Sequence, residues 1–437
     1  MGKKKSAKAI QDGIYYDKIP FQAKHSLQGS IHSNHCFALL FLKAPNNSAY
    51  EVQKSIEGLW KMYDSLRNGY SYELEDCSFP PGGLTILISY GQRIFELSGI
   101  SKKIPVDFKE KQFLPAKPGK PILPGCGIKY SDINHDNVGL SEDIALQFIA
   151  DTQLGTYRAI VETKKYLQKN KKQPLKFSKF YTGFQRDDGR SWLGFHDEVS
   201  NMKSSKERLD AIAIDTINNK LLPRDYWTRN GTYMVYLRLE IDLDMWNTID
   251  RRNQELIIGR DKLRGSPIVG IDKNGNPVTN KALPSAYEVH GFDRRFHEHP
   301  DYLRPPKLPK NVRPLLDTQA SAEILNESHI GRARHIDNID SEYRVSRRIF
   351  RQGFEFLDPI YNDPTKNLRV GQNFISFQND PSRLFFILTH PDWMGNTNFG
   401  GSKNNKMKKL LSVLAAGVFF VPPMEKPFPG ISLFTQT

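Results

Sequence analysis

Three ionisable residues follow Gly194 and Phe195 directly in the stretch "GFHDEVSN": His196, Asp197 and Glu198. Side chains of this kind are costly to bury. They therefore stand either in a solvated turn or at a site where a carboxylate handles a proton. The stretch alone leaves both possibilities open.

A second candidate stretch, "NESHIGRARHID", places His329 after a segment with helical spacing, and Arg332 and Arg334 follow it. Further along, "RRIFRQGFEF" puts Arg351 in a predicted strand whose alternate residues are aromatic. An arginine there is expensive to bury unless an anion or a carboxylate meets it. The alternative is an arginine at the edge of a sheet.

Another group of histidines lies in "HGFDRRFHEHPDY", with His290, His297 and His299. The His-x-His spacing would put two imidazoles on one face of a strand, as a metal site requires. No third ligand accompanies them, so we do not expect a metal site there. Asp187 and Asp188 are predicted to lie in an exposed turn.

A hydrophobic fraction of 38% predicts a folded protein. A length of 437 residues exceeds what one hydrophobic core usually serves, so we expect two domains. No apolar run is long enough to span a membrane, and the basic N-terminus lacks the apolar segment of a secretory signal. The three cysteines, Cys36, Cys77 and Cys126, form neither a zinc pattern nor a disulfide framework. We therefore expect a soluble cytoplasmic protein.

The formal net charge of +14 raises the alternative of a nucleic-acid-binding or scaffold protein. The lysines lie in separate runs, namely "GKKKSAK", "ETKKYLQKNKKQPLK" and "SKNNKMKK". No helix-turn-helix, zinc-finger or RNA-binding signature accompanies them. A solvated surface is the favoured interpretation, and nucleic acid is not an expected partner.

Hydrophobic periodicity predicts strands interspersed with helices in both halves of the chain. Strands are predicted in "CFALLFLKA", "GGLTILISYG", "EDIALQFIAD", "GTYMVYLRLEIDL", "RRIFRQGFEF", "GQNFISFQ" and "AAGVFFVPP". Helices are predicted in "NNSAYEVQKSIEGLWKMYDSL", after a cap at Thr152 as far as about Gln168, and once or twice in "DMWNTIDRRNQELIIGR". Residues 101–140, rich in Pro, Gly and Lys, are predicted to be a long loop or flap.

This pattern favours the α+β class over a helical bundle or a doubly wound parallel sheet. We expect two ferredoxin-like domains of the dimeric α+β barrel type, each an antiparallel sheet with helices. The predicted boundaries are a polar arm at 1–30, an N-terminal domain at 31–185 and a C-terminal domain at 186–437.

Five stretches, in this order, resemble the dye-decolourising peroxidases, which are haem enzymes built from two ferredoxin-like domains. The stretches are "GGLTILISYGQRIFE", "EDIALQFIAD", "WLGFHDEVSN", "GTYMVYLRLEIDLDMWNTIDRRNQELIIGRDKLRGSPI" and "SHIGRARH…RIFRQGFEF…GQNFISFQND…AAGVFFVPP". The resemblance runs from about residue 31 to 425. Its specificity comes from the shared order and from the length of the fourth stretch.

The resemblance implies haem b (iron protoporphyrin IX) as cofactor, hydrogen peroxide as one substrate and an organic electron donor as the other. His329 matches the family's iron ligand, a neutral imidazole that leaves the opposite face of the iron open. Asp197 matches the aspartate of the Gly-x-x-Asp-Gly motif and would move a proton between the two peroxide oxygens. Arg351 matches the distal arginine, whose positive charge stabilises the leaving oxygen.

Further cofactor contacts follow from the same resemblance. His196, Arg332 and Arg334 would meet the haem propionates, with an ordinary turn as the alternative for His196. Phe377 and Phe386 would line the distal pocket, with core packing as the alternative for both. The family also implies a homo-oligomer, and the lack of a long apolar run leaves a membrane partner unexpected.

Three departures from the family pattern bear on activity. Glu198 replaces the last glycine of the motif, where a glycine serves a positive φ or a close approach to the porphyrin. Gly331 stands where the family has an arginine. The segment "SKNNKMKKLL" offers Asn405 instead of a carboxylate near the iron ligand, which would leave a less electron-rich iron. The alternative function is therefore a haem carrier or sensor with weak or no turnover.

Overall fold

The computed structural model describes residues 11, 36–45, 48–71, 74–100, 102–110, 113–115, 128–130, 136–137, 141–169, 173–186, 189–197, 201, 205–215, 221–263, 265–266, 268–271, 277–279, 328–329, 349–361, 366–384 and 410–434. The strands are β1 Cys36–Lys43, β2 Tyr70–Ser71, β3 Leu74–Ser78, β4 Thr85–Tyr90, β5 Phe113–Pro115, β6 Ile128–Tyr130, β7 Asp136–Asn137, β8 Ile144–Ala150, β9 Lys176–Phe184, β10 Thr232–Ile241, β11 Ile268–Ile271, β12 Pro277–Thr279, β13 Phe350–Pro359, β14 Leu368–Gln378 and β15 Leu411–Val421. The α-helices are α1 Ala49–Arg67, α2 Val106–Glu110, α3 Gln153–Lys169, α4 Ser205–Ile212, α5 Leu243–Thr248, α6 Arg251–Ile258 and α7 Ile431–Phe434, and 3₁₀ turns cover Gln92–Glu96 and Pro223–Thr228.

Eight antiparallel strands close into a barrel in the order β10-β14-β13-β9-β1-β8-β4-β15, and β15 pairs again with β10. β7 joins β15 in parallel. Two four-stranded halves meet at two narrow seams in the described part of the chain. β13 pairs with β9 at Glu355 and Phe184, and β4 pairs with β15 at Tyr90 and Phe420.

Apolar side chains pack on both surfaces of this barrel. Inside it, aromatic rings from the two halves meet, and Phe37 stacks on Phe354 with ring centroids 4.5 Å apart. Outside it, α1 and α3 cover the first half, and a second apolar cluster covers the other half. Because both surfaces are covered, β8 is buried at every position and not only at the alternate positions Ile144, Leu146 and Phe148.

The predicted helices are confirmed, with caps that explain where they begin. The Ser48 side chain accepts the Glu51 N–H at 3.2 Å at the start of α1. Thr152 Oγ1 accepts the Gly155 N–H at 3.2 Å at the start of α3, so the predicted cap is also confirmed. The stretch after β10 forms two helices, α5 and α6, each with an aspartate cap.

One residue of the predicted polar arm is part of the folded barrel. Gln11 is 1% exposed and lies at the β4–β15 seam. Its Nε2 donates to the carbonyl oxygens of Ile88 and Pro422, both at 2.9 Å, and its Oε1 accepts the Ile88 N–H at 3.0 Å. The side-chain amide thus joins strands that pair with each other through one residue pair.

The predicted loop at 101–140 contains α2 and the short strands β5, β6 and β7 in its described parts. Across the described residues, every helix is too short or too polar to cross a membrane. Cys36 and Cys77 are free thiols, and Cys126 lies outside the described residues.

Candidate active site

Residues 189–197, here called the Asp197 loop, follow β9 and fold into a compact turn. The Ser191 N–H donates to Phe195 O at 2.9 Å, and the Asp197 N–H donates to Gly189 O at 2.9 Å. Gly194 adopts a φ of +84°, where a side chain would be strained and would meet Lys262. The backbone conformation of the loop therefore requires a glycine at position 194.

Arg190 ties the loop to the segment that follows α6. Its guanidinium donates to Gly194 O at 2.7 Å, to Lys262 O at 2.6 Å and to Leu263 O at 3.0 Å. Three carbonyl acceptors around one guanidinium fix both segments, because each bond has a charged donor.

Trp246 of α5 packs against the Asp197 loop. Its Nε1–H donates to Leu193 O at 3.1 Å, and its ring meets that of Phe195 edge-on with centroids 6.2 Å apart. Trp246 is 2% exposed and belongs to the apolar cluster outside the second half of the barrel. The loop is therefore anchored by packing as well as by hydrogen bonds.

The alternation of β13 puts Arg351, Gly353 and Glu355 on the outer surface of the barrel, because Phe354 packs inside it. Asp197 Oδ2 occupies the position that a Cβ of Gly353 would need, so a larger residue at 353 would displace the carboxylate. Arg351 and Gly353 are two residues apart on one surface, or about 7 Å along the strand. The fold thus brings Asp197 and Arg351 close together.

Asn201 fastens the chain after the loop to Arg351. Its Nδ2 donates to Arg351 O at 2.6 Å, and its Oδ1 accepts the Arg351 N–H at 3.1 Å. The Asn201 amide thus makes the two backbone hydrogen bonds that a neighbouring strand would make, at a point where β9 no longer pairs with β13. The Arg351 guanidinium forms no ion pair with another residue of the described ranges.

Gln372 of β14 bridges two carboxyl groups. Its Nε2 donates to Asp197 Oδ2 at 2.7 Å and to Glu355 Oε1 at 3.2 Å. The Trp192 N–H donates to Glu355 Oε2 at 3.1 Å. Burial, and then the charge of Asp197, raise the pKa of Glu355 to about 8, while the hydrogen bonds from Trp192 and Gln372 and the Arg186 charge act in the opposite direction. Glu355 is therefore mostly the neutral acid at pH 7.

An apolar surface adjoins this cluster. Arg351 pairs with Ser376 in the β13–β14 register, and the next strands continue the same surface. Ser376 is fully buried, and its Oγ makes no hydrogen bond within the described part of the chain. The residues of this surface are Val235, Leu237, Phe374, Ala416 and Val418.

The other predicted site residues lie at different places. The His196 backbone pairs with that of Arg190, and its Nε2 lies 3.3 Å from Leu263 O. His329 is partly exposed, and its Nδ1 is buried. Phe377 is fully buried inside the barrel, on the surface of β14 opposite Gln372, so the fold does not bring it to Asp197.

Several predicted residues lie outside the described residues: Asp187, Asp188, Glu198, His290, His297, His299, Gly331, Arg332, Arg334, Phe386 and Asn405. Within the described ranges, no group of three or more His, Cys, Asp or Glu residues could hold a metal ion.

Sequence reasoning missed Glu355, Gln372 and Asn201. A usable signal was present in "GQNFISFQ", where polar Gln372 stands at a position that packing would give to an apolar side chain. The position of Asn201 gave no such signal, because its partner is the backbone of a strand 150 residues away.

Residues 188–426 match the sequence family described as Dyp-type peroxidase, C-terminal, and they make up more than half of the chain. The chain belongs to the Dyp-type peroxidase family. Of the curated relatives, an Escherichia coli protein named deferrochelatase is 23% identical over 314 residues. That alignment covers 70% of this Dyp-type chain and 60% of the relative, so the chain matches less than two thirds of the relative's length.

Solved structures share the Dyp-type fold. DtpA from Streptomyces lividans, as an oxyferrous complex, aligns with a TM-score of 0.63 and 18% identity over 95% of this chain and 100% of that chain. A DypB variant from Rhodococcus jostii in complex with heme aligns with a TM-score of 0.53 and 17% identity over 92% of this chain and 96% of that chain. At these identities the likeness establishes the fold.

Proposed function

We propose that this chain is a haem b peroxidase that reduces hydrogen peroxide and oxidises an organic electron donor. The observation that carries the proposal is that Asp197 lies against Gly353, two residues from Arg351 on the same surface of β13, with Asn201 bonded to the Arg351 backbone. Membership of the Dyp-type family and the complex of DypB with heme support the choice of cofactor.

The residues present fit haem b. The surface beside Asp197 and Arg351 is apolar, and it contains the buried hydroxyl of Ser376, which makes no hydrogen bond within the described residues. His329 offers an imidazole, the side chain that binds haem iron in many peroxidases. A carboxylate, a guanidinium and an imidazole are the donor set that a haem peroxidase needs.

The chemistry divides between cofactor and protein. Haem iron, when bound, supplies the electron transfer that cleaves the peroxide bond. Asp197 accepts a proton from one peroxide oxygen at its carboxylate and returns it to the other. Arg351 stabilises the negative charge that develops on the departing oxygen. His329 would supply the imidazole that holds the iron.

Further cofactor contacts belong to the same proposal. His196, Arg332 and Arg334 would pair with the propionates, and Phe386 would line the pocket. Phe377 is left out, because its ring stacks on Phe350 inside the barrel.

We also propose two ferredoxin-like domains, at 31–185 and 186–437, with 1–30 as an N-terminal arm. The strand orders β9-β1-β8-β4 and β15-β10-β14-β13 support it, since each is the 4-1-3-2 order of a βαββαβ unit. The absence of a paired cysteine framework from the sequence supports a reducing compartment, the cytoplasm. A homo-oligomer completes the proposal.

Peroxide consumption by the haem-loaded full-length chain tests the proposed roles. We expect Asp197→Asn and Arg351→Leu each to lower kcat/KM for peroxide by at least about 100-fold. Asp64→Asn and Arg224→Leu are matched controls, because both residues are exposed and lie on other elements. Wild-type rates in both site variants would overturn the assignment.

Haem binding with weak turnover is the second candidate. It is favoured by the curated relative named deferrochelatase and by the Gln372 hydrogen bond that already engages Asp197. The same assay separates the two candidates. Saturable haem binding with peroxide consumption no faster than that of free haem would select the second.

A further inference from the structure

Asp197, Gln372 and Glu355 form one hydrogen-bonded cluster on the outer surface of β13 and β14. A glutamine amide has two N–H donors, and the Nε2 of Gln372 directs them at the two carboxyl groups. Gly353 makes the arrangement possible, since a Cβ there would overlap both Asp197 Oδ2 and Gln372 Nε2. The orientation of the amide is therefore set by both carboxyl groups at once.

Two carboxyl groups that share one amide cannot both be ionised without strong repulsion. Glu355 is 3% exposed, so the charge is least favourable there. The charged groups that act on it are Asp197 from the loop and Arg186 beyond the end of β9. From β14 it faces the neutral Gln372, and from the loop the Trp192 N–H. Glu355 is consequently the member of the pair that keeps its proton at neutral pH.

We propose that Gln372 and Glu355 are positioning residues that hold the Asp197 carboxylate against β13, and that ionisation of Glu355 releases the Asp197 loop at alkaline pH. The proposal rests on the proposed function for the task of Asp197, although the geometry itself does not depend on haem. One N–H of the Gln372 amide holds Asp197 Oδ2, and the other N–H is held by neutral Glu355. A second negative charge at Glu355 would push Asp197 away from Gly353 and loosen the loop.

Amide hydrogen exchange of the full-length protein, read by mass spectrometry in peptides covering 189–201, tests this without haem. After correction for intrinsic exchange, protection of the loop in the wild type should fall about tenfold between pH 6 and pH 7 and level off above pH 8, because Glu355 is ionised in the opened loop and protonated in the closed loop between its two pKa values. Glu355→Gln should keep its protection across this range. Gln372→Leu should lose protection at pH 6 and at pH 9.

Gln352→Leu is the matched control. Gln352 is a glutamine of the adjacent strand β13 and is fully buried, but it faces the barrel interior and accepts a hydrogen bond from Gln147 at 3.2 Å. It should leave protection of the Asp197 loop unchanged. Equal protection of the wild-type loop at pH 6 and pH 7, or equal effects of Gln372→Leu and Gln352→Leu, would overturn the proposal.

A second readout separates failure of this inference from failure of the proposed function. In the haem-loaded enzyme, kcat/KM for peroxide should fall above about pH 8 in the wild type, and the fall should be absent in Glu355→Gln. If neither the wild type nor any variant binds haem, but loop exchange changes as predicted, the proposed function is wrong and the positioning role is retained. If the enzyme is active but the Glu355 and Gln372 variants exchange their loop amides as the wild type does, the positioning role is wrong and the proposed peroxidase function is retained.

Discussion

Replacement of Glu355 by Gln should change how the stability of the protein depends on pH. The pKa of Glu355 is raised from the model-compound value of 4.5 to about 8, with burial as the first cause and the charge of Asp197 as the second. Between these two values the unfolded chain is ionised at this position and the folded chain holds the proton. The stabilisation is therefore complete below pH 4.5 and is lost as pH rises through 8.

The magnitude follows from one proton per molecule. Within this window the free energy of unfolding of the wild type should fall by about 1.4 kcal/mol for each pH unit because of Glu355. From pH 5.5 to pH 7.5 the loss is about 2.7 kcal/mol. Glu355→Gln carries no titrating group, so its free energy of unfolding relative to the wild type should rise by the same amount.

Urea denaturation at pH 5.5, 6.5 and 7.5, at constant ionic strength, measures this difference. Glu57→Gln is the matched control, since Glu57 lies on α1 beside Lys61 and its pKa is lowered, first by the hydrogen bond from Lys61. Glu57 is ionised in both states over this range and should add no pH dependence. Parallel pH profiles of the wild type and Glu355→Gln would refute the account of the buried acid.

Three further variants test other parts of the fold. Gly353→Ala should displace the Asp197 carboxylate and lower kcat/KM for peroxide by roughly 100-fold with haem still bound, and unchanged kinetics would contradict the close approach. Asn201→Ala removes two hydrogen bonds to the backbone of Arg351, so the free energy of unfolding should fall by about 1–3 kcal/mol, as measured by urea denaturation. Gln11→Ala removes three hydrogen bonds at the β4–β15 seam and should lower the free energy of unfolding by about 3 kcal/mol; a chain without residues 1–30 that is as stable as the wild type would contradict a structural role of this residue.

Much of the fold followed from local patterns. Apolar runs predicted β1, β10 and β15, because these strands bury most of their side chains, and helical spacing predicted α1, because this helix buries one face. The cap at Thr152 was predictable for the same local reason. The closure of the barrel was not, because it depends on single residue pairs such as Tyr90 with Phe420, which no periodicity marks.

The site was predictable only in part. Asp197 and Arg351 were recognised as chemically unusual residues in their own segments. The position of Asp197 near Arg351 depends on Gly353, whose missing side chain makes room for a carboxylate from a distant loop. Glu355 was passed over because a carboxylate in a strand is ordinarily interpreted as solvent-exposed. Glu355 is buried by the Asp197 loop and by β14. Neither contact can be predicted from the sequence of β13 alone.

The optical spectrum of the full-length protein titrated with haem, before and after addition of peroxide, tests the central claim most directly. We predict a Soret band that saturates at one haem per chain, is lost in His329→Ala, returns with added imidazole, and changes within seconds of peroxide addition. A spectrum that remains that of free haem in the wild type, or a saturable Soret band unaffected by His329→Ala, would contradict the account.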